Sequence, residues 1–246
     1  MAIHDFNAQR LFVDAALAAG GAIRCTDEQA NYLRNVLRLG EGAGLRVFNG
    51  RDGEWQARLS LSGKRGCSLE PIEQVRAQED GPDIHYLFAP LKRARLDYMV
   101  QKATELGVAR LQPVLTRHTV AERVNLDRMR SNVIEAAEQC GILRIPDIGE
   151  PERLERVLDR WEDSRPLIFC DEAADVRSPL DALGKVQTGP VGVLIGPEGG
   201  FSSDERALLM GKPFTVPVSL GPRIMRADTA AVAALALVNA VLGDWR

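Results

Sequence analysis

The sequence predicts an α/β protein of two parts, a small β-rich domain followed by a larger domain of alternating strands and helices. Before residue 73, short segments carry apolar side chains at every second position, which is the period of a half-buried strand. After residue 84, apolar strands alternate with segments of helical period, which indicates a parallel sheet. Residues 74–83 between them are polar and rich in turn formers, and we interpret them as a linker.

The first domain, residues 1–73, is predicted to be a small β-barrel. Its predicted strands are residues 44–50, 53–61 and 67–72. The first two alternate apolar with polar side chains, and the Asn-Gly-Arg-Asp-Gly stretch between them is a hairpin turn signal. A helix is predicted over residues 27–39, with Asp27 as a suitable start.

The second domain, residues 84–246, is predicted to hold a parallel sheet covered by helices on both faces. Its predicted strands are residues 84–90, 108–115, 166–170, 191–196 and 214–220. Its predicted helices are residues 95–107, 126–141, 151–161, 202–211 and 230–242. The fourth helix has the clearest bounds, because Ser202 and Glu205 have the spacing of a capping box and Gly211 can end the helix.

The composition narrows the classes of function. The net charge is −3, and the four cysteines and three histidines are scattered, so we expect a reduced protein without a metal site. No apolar run reaches the about 18 residues of a membrane helix, and the N-terminus has no signal core, so we expect a cytoplasmic location. Lys92 to Arg130 holds nine Lys or Arg and four Asp or Glu. This basic segment is either a phosphate-binding face or a solvated helix surface.

Residues 193–205, VLIGPEGGFSSDE, join an apolar strand to a helix through a glycine-rich loop. Gly196, Gly199 and Gly200 lack the spacing of the dinucleotide fingerprint, and no lysine follows them as in a nucleotide P-loop. Glu198 would also repel a phosphate at the helix start. Ligands of parallel sheets bind beyond the carboxyl ends of strands. The loop is therefore either a binding loop for a ligand other than a triphosphate or an ordinary tight turn.

A second unusual stretch runs from Ser219 to Leu242. A glycine–proline turn with two arginines, Arg223 and Arg226, precedes a helix of small apolar residues, for which Asp228 or Thr229 can serve as the cap. A helix that is apolar all round must be buried on more than one side. It is either a core helix or a subunit interface.

Several segments, in this order, resemble one family. QKATELGV, EAAEQC, IGPEGGFSSDE and LGPRIMRADTA are similar to the 16S ribosomal RNA uridine N3-methyltransferases of the SPOUT class, and RLFVD and YLRNVLRLGEG match the RNA-binding domain of that family. The resemblance covers essentially the whole chain. It implies a C-terminal α/β domain with a trefoil knot, an N-terminal PUA-like β-barrel, S-adenosylmethionine as cofactor, and 16S rRNA within the small ribosomal subunit as partner.

The resemblance also implies a site and an assembly. Three loops would hold the cofactor, with the residues Cys170, Leu194, Ile195, Gly196, Glu198, Gly199, Gly200, Ser219, Leu220, Gly221, Ile224, Met225 and Arg226. Methylation of uridine N3 needs charge stabilised on the base or a proton accepted, for which the candidates are Arg226, then Arg223, and Glu198. The RNA would be held by Arg10, Arg34, Arg38, Lys92, Arg93, Arg95 and Lys102. The last helix would form a homodimer, which Glu at Ala234 or Val238 should disrupt.

One departure from the family concerns an arginine. Family members carry it at the position of Ile142, whereas this chain has Arg144, so Arg144 is not counted as a site residue. Two other functions fit part of the pattern. A different SPOUT enzyme would methylate a ribose 2′-hydroxyl or a tRNA base, and a non-catalytic ribosome-assembly factor would keep the fold alone. The glycine-rich loop and the LGPRIMRADTA motif argue against the first, and the intact donor loop argues against the second.

Overall fold

The computed structural model describes residues 8–120, 123–175 and 178–245. The chain forms two compact units. The first contains the chain up to Glu79 together with Ala137–Ile145, and the second contains Asp80–Ala136 and Pro146–Arg246. The inclusion of residues 137–145 in the first unit was not predicted, because the helical period of that region carries no sign of which unit it packs against.

The first unit holds one five-stranded sheet. Its strands are β1 (Arg10–Phe12), β2 (Ile23–Arg24), β3 (Gly44–Phe48), β4 (Glu54–Ser62) and β5 (Gly66–Arg76). They lie in the order β1-β3-β4-β5-β2, with β1 parallel to β3 and the other pairs antiparallel. The three predicted strands are confirmed. β5 continues to Arg76, because Gln74 and Arg76 pair with Trp55 and Glu54 of β4, so the first residues of the predicted linker belong to the sheet.

In place of the single helix predicted for the first unit, the chain forms a short α-helix followed by a π-helical turn. The α-helix α1 (Asp27–Asn31) is capped by Thr26, whose side chain forms a capping box with Gln29. From Tyr32 to Val36 the backbone is π-helical, and the Leu37 amide donates to the Tyr32 carbonyl five residues earlier. The prediction of one helix to residue 39 is therefore wrong in its second half. A π-helical turn has no signature in hydrophobic period.

The second unit contains a parallel sheet, as predicted. Its strands are β6 (Ile84–Phe88), β7 (Arg110–Leu115), β8 (Asp147–Ile148), β9 (Glu152–Arg153), β10 (Leu167–Cys170), β11 (Val191–Ile195) and β12 (Thr215–Val218). The order is β12-β10-β11-β6-β7-β8, with β9 also paired to β7, and every pair is parallel. β11 and β10 are buried along most of their length, as expected for central strands covered on both faces.

The remaining helices are α2 (Arg93–Glu105), α3 (Leu126–Cys140), α4 (Leu154–Asp159), α5 (Pro179–Leu183), α6 (Ser203–Met210) and α7 (Ala227–Val241), and the end of α3 from Ala137 onward belongs to the first unit. Five of them lie where helices were predicted. Helix α5 was not predicted, and α4 and α7 each begin about three residues from their predicted starts. The Ser202–Glu205 capping box of α6 is confirmed. For α7 the predicted caps are wrong, since Arg226 is the N-cap and makes no side-chain cap bond, while Asp228 lies within the first turn. Among the described residues, no helix is long and apolar enough to cross a membrane.

Candidate functional site

A cavity of about 190 Å³ opens at the carboxyl ends of β10, β11 and β12, beside the start of α7. Its lining comes from three segments of chain. The residues are Cys170–Ala173, Ile195–Glu198, Gly200, Phe201, Arg206, Val218, Leu220, Gly221, Arg223–Met225, Ala227 and Ala230. The cavity thus lies where open parallel sheets bind their ligands.

The glycine-rich loop closes one side of the cavity with a tight turn. The Gly200 amide donates to the Pro197 carbonyl at 2.9 Å, and Gly200 has a φ of 68°, which a side chain would strain. Gly196 is required for a different reason, because a Cβ there would lie 2.5 Å from the Phe201 ring. The ring of Phe201 in turn packs edge-on against Phe169 of β10. These contacts hold the loop backbone against the sheet edge.

Charged and polar groups surround the cavity. Asp171 is buried and accepts a hydrogen bond from Nε of Arg206 at 2.9 Å. Glu198 forms an ion pair with Arg95 of α2. Burial raises the pKa of the Cys170 thiol to about 12, so this thiol stays protonated at neutral pH. Glu172 and Arg223 also line the cavity, and Ile195, Phe201, Val218 and Leu220 give it apolar surface.

Most residues predicted for cofactor binding meet at this cavity. The ones that line it are Cys170, Ile195, Gly196, Glu198, Gly200, Leu220, Gly221, Ile224 and Met225. Leu194, Gly199, Ser219 and Arg226 are not among the lining residues. Leu194 is excluded by strand alternation, because it faces the apolar cluster with Leu87 and Phe169, opposite to Ile195. Ser219 is turned toward its own loop, where its Oγ accepts from the Gly221 amide at 3.4 Å.

The structure adds lining residues that the motifs did not single out. Asp171, Glu172 and Ala173 follow β10, and Phe201 and Arg206 follow the glycine-rich loop. The position of Asp171 directly after a strand end was the signal that could have found it. Ile224 was predicted as an apolar wall, but its side chain is 90% exposed at the mouth. Inside the cavity Ile195, Phe201 and Val218 provide apolar surface instead.

The three predicted catalytic residues differ in their placement. Arg223 and Glu198 line the cavity, whereas Arg226 is the exposed N-cap residue of α7. Among the described residues, no group of His, Cys, Asp and Glu is arranged to hold a metal ion.

Some of the predicted RNA-binding residues are bonded to other groups of the protein, and others are exposed. The Arg10 side chain is 9% exposed, pairs with Glu54 at 2.5 Å and donates to the carbonyls of Glu138 and Ile142, both at 3.0 Å. A buried, fully engaged guanidinium is not available to a phosphate, so the prediction for Arg10 is wrong. Arg34 is half-buried and donates to the Gly66 carbonyl at 2.8 Å.

The other predicted cations lie on helix α2 or after the π-helical turn. Lys102 pairs with Glu105 at 2.7 Å, and Arg95 pairs with Glu198. Arg38, Lys92 and Arg93 are exposed. Arg38 is also the one residue other than glycine in the described chain that has a positive φ, at 56°.

Comparison with known proteins identifies the family. A family model described as an RNA methyltransferase domain matches residues 78–239, and one described as an RNA methyltransferase PUA domain matches residues 26–72. The ribosomal RNA small subunit methyltransferase E of Rickettsia conorii is 32% identical over 94% of this chain and 94% of its own length. That of Synechocystis is 33% identical over 96% of this chain and 78% of its own length.

Solved structures agree with the sequence relatives. A Legionella pneumophila protein in complex with the bound cofactor SAM has a TM-score of 0.85 at 29% identity, covering 97% of this chain and 99% of that one. The ribosomal RNA small subunit methyltransferase E of Neisseria gonorrhoeae, bound to S-adenosyl methionine, has a TM-score of 0.82 at 26% identity, covering 98% and 100%. The chain therefore belongs to the RNA methyltransferase family that includes the ribosomal RNA small subunit methyltransferases E, as its motifs predicted.

Proposed function

We propose that this chain transfers a methyl group from S-adenosylmethionine to N3 of a uridine in 16S ribosomal RNA. The observation that carries the proposal is the cavity at the carboxyl ends of β10, β11 and β12, together with two relatives of the same fold that are solved with this methyl donor. A ribosomal substrate, which we take to be the small subunit, would place the chain in the cytoplasm.

The lining residues fit a donor that has no phosphate. Gly200 leaves the loop backbone without a side chain beside the cavity, and the loop carries neither a Lys nor a phosphate-binding glycine spacing. Ile195, Phe201 and Leu220 offer apolar surface to an adenine ring, and Glu172 and Glu198 face the mouth with negative charge. When bound, the donor supplies an electrophilic methyl group on a sulfonium.

The protein must prepare the uridine for this transfer. N3 of uracil carries a proton and is a poor nucleophile until that proton leaves, so the site must favour negative charge on the base. Arg223 lines the cavity, which supports it as the residue that stabilises that charge, and Arg226, the exposed N-cap residue of α7, is the second candidate. Glu198 could accept the proton only after separating from Arg95. The uridine must also be unpaired or flipped, because base pairing occupies N3.

Two further features are part of the proposal. Arg38 of the first unit and Lys92 and Arg93 of the second are exposed cations that would contact RNA phosphates. Helix α7 would join two copies of the chain in a homodimer. The knot of the second unit and the domain limits 1–73, 74–83 and 84–246 stay predictions.

Methylation of isolated RNA and of assembled particles tests the proposal. Assembled small subunits and naked 16S rRNA from cells that lack this enzyme should be incubated with labelled S-adenosylmethionine, and the digested RNA analysed by mass spectrometry. We expect N3-methyluridine, with faster formation on assembled subunits. A 2′-O-methylated nucleoside, or no incorporation by a protein that binds the donor, would contradict the proposed activity.

Variants of Arg223 and Arg226 in the same assay test which arginine stabilises the negative charge on the uracil base. Arg223→Ala should lower the single-turnover rate at saturating donor and RNA on the order of a hundredfold, the usual cost of one such group. Arg226→Ala should lower it less, because Arg226 does not line the cavity. The reverse order would transfer the role to Arg226.

A further inference from the structure

A four-residue turn, Thr116–Thr119, follows β7 at the same edge of the sheet as the cavity. The turn is closed by its own side chains. The Thr116 amide donates to Thr119 Oγ1 at 2.8 Å, the Thr119 amide donates to the Thr116 carbonyl at 3.1 Å, and the two hydroxyls lie 2.9 Å apart. These bonds give the Thr116–Thr119 turn a defined shape from which Arg117 and His118 project.

The turn is anchored to the start of α6 through Glu205. The Arg117 amide donates to one carboxylate oxygen of Glu205 at 2.7 Å, and the other oxygen accepts from the amide and hydroxyl of Ser202, both at 2.8 Å. Burial would raise the pKa of Glu205, but the hydrogen bonds from Ser202 and Arg117 outweigh it and hold the pKa below its usual range. Glu205 is therefore a carboxylate at neutral pH and holds the turn beside the glycine-rich loop.

His118 makes the second connection, directly to that loop. Its Nδ1 lies 3.0 Å from the carbonyl oxygen of Gly200. A carbonyl can only accept a hydrogen bond, so in this geometry Nδ1 carries the proton. The two backbones also approach closely, because a Cβ at Gly199 would lie 3.4 Å from the Cβ of His118.

The hydrogen bond between His118 and Gly200 joins the loops that follow two strands which are not adjacent in the sheet. The glycine-rich loop follows β11 and the Thr116–Thr119 turn follows β7, and β6 lies between those strands. Gly200 lines the cavity, whereas His118 does not. His118 therefore reaches the cavity only through the backbone of Gly200, the residue whose positive φ sets the shape of the loop.

We propose that His118 is a positioning residue for the methyl-donor site. Its Nδ1–H holds the Gly200 carbonyl, and through it the glycine-rich loop, in the conformation that receives the donor. Without this bond the loop would have to be ordered by the donor itself, and part of the binding free energy would be spent on that ordering. The inference rests on the proposed function for the identity of the ligand, and it concerns donor affinity rather than chemistry.

Three substitutions separate the bond from other roles of the ring. His118→Ala removes the N–H group that donates the hydrogen bond to the Gly200 carbonyl. His118→Asn places an amide nitrogen close to the position of Nδ1, whereas His118→Gln places one near the position of Nε2. The dissociation constant for S-adenosylmethionine should be measured by calorimetry, together with the melting temperature and amide hydrogen exchange of the donor-free protein.

We expect His118→Ala and His118→Gln to bind the donor about fivefold to tenfold more weakly, which corresponds to one net hydrogen bond, and His118→Asn to bind nearly as the wild type. Hydrogen exchange in the glycine-rich loop should rise in the first two variants only. The melting temperature should change little, because His118 is exposed.

Several outcomes would overturn the inference. Unchanged donor affinity in His118→Ala would do so, as would equal losses in His118→Ala and His118→Asn. A fall in kcat of His118→Ala with unchanged donor affinity would instead make the ring a proton acceptor. Failure of the wild-type chain to bind the donor is a different result, since it would refute the proposed function itself.

Discussion

Gly199 and Gly200 are neighbours in the sequence but differ in what their backbones require. Gly200 has a φ of 68° and lines the cavity, while Gly199 has no positive φ and lies beside His118. The sequence alone treats the two residues as equivalent, because a glycine motif does not say which of its members needs the left-handed conformation.

We therefore expect different results from the two positions. Gly200→Val should weaken donor binding at least tenfold, because a β-branched residue at a positive φ costs about 1–2 kcal/mol or more and drives the turn into another shape. Gly199→Ala should change the affinity less than about threefold, since its Cβ would be 3.4 Å from the nearest atom. Calorimetry with S-adenosylmethionine measures both. Equal effects would mean that φ at residue 200 does not control the loop.

Individual side chains were predicted less well than the loops that carry them. Three loops at one sheet edge follow from strand–helix alternation and the family motifs, and nine of the thirteen residues assigned to the cofactor line the cavity. Leu194 was misplaced because strand alternation turns it to the opposite face. Arg10 was misplaced because a sequence does not distinguish a surface cation from one that pairs with a buried carboxylate such as Glu54.

At the scale of elements, α7 has two apolar faces that differ in how deeply they are buried. Ala231, Ala234, Leu235 and Val238 are buried within the second unit, where α7 packs against α2 and β11. Ala233, Leu237 and Val241 form a stripe at helical spacing on another side and are only half-buried. The predicted test positions Ala234 and Val238 therefore belong to the core of one subunit, and a charge there would disrupt the fold rather than an interface.

The proposed homodimer is better tested on the half-buried stripe. Leu237→Glu should give a folded monomer, because in the proposed dimer the charge would face the second copy, whereas Ala234→Glu should reduce soluble protein or lower its melting temperature. Sedimentation at micromolar concentration and circular dichroism measure the two effects. A wild-type chain that sediments as a monomer, or a dimer that survives Leu237→Glu, would argue against α7 as the interface.

The bounds of three longer helices were predicted well, and those of the irregular elements were not. Helices α2, α3 and α6 begin and end within about two residues of their predicted limits, because apolar period and capping residues specify them locally. The π-helical turn at Tyr32–Val36 and the short strand β9 are determined by packing and pairing with distant residues. No local pattern in the sequence records such contacts.

At the scale of the whole molecule, the net charge does not show which cations are bonded within the protein and which are exposed and able to contact RNA. The net charge is −3, and Arg10, Arg34 and Arg95 of the predicted RNA-binding set are bonded to carboxylates or carbonyls of the protein itself. Arg38, Lys92 and Arg93 remain exposed. Affinity for RNA should therefore depend on a few cations, with a correspondingly modest dependence on salt.

Substitution of an exposed and a buried arginine tests this division. Arg38→Gly, in which glycine accepts the φ of 56° without strain, should weaken RNA binding and lower the slope of log affinity against log salt by about 0.7–0.9, the value for one phosphate contact. Lys92→Ala should act similarly, and neither change should alter the affinity for S-adenosylmethionine, because phosphate contacts only position the RNA.

Arg10→Ala is the matched control, and its expected effect is on stability. It leaves Glu54 buried, with the more distant Arg76 at 3.8 Å as its remaining cation among the described residues, and the loss of one partner of a buried pair costs about 3 kcal/mol or more. The melting temperature of this variant should therefore fall, while its salt slope for RNA, measured well below that temperature, should equal that of the wild type. A reduced salt slope in Arg10→Ala with an unchanged melting temperature would mean that Arg10 leaves its pocket to contact RNA. An unchanged slope in both Arg38→Gly and Lys92→Ala would move the RNA-binding surface elsewhere.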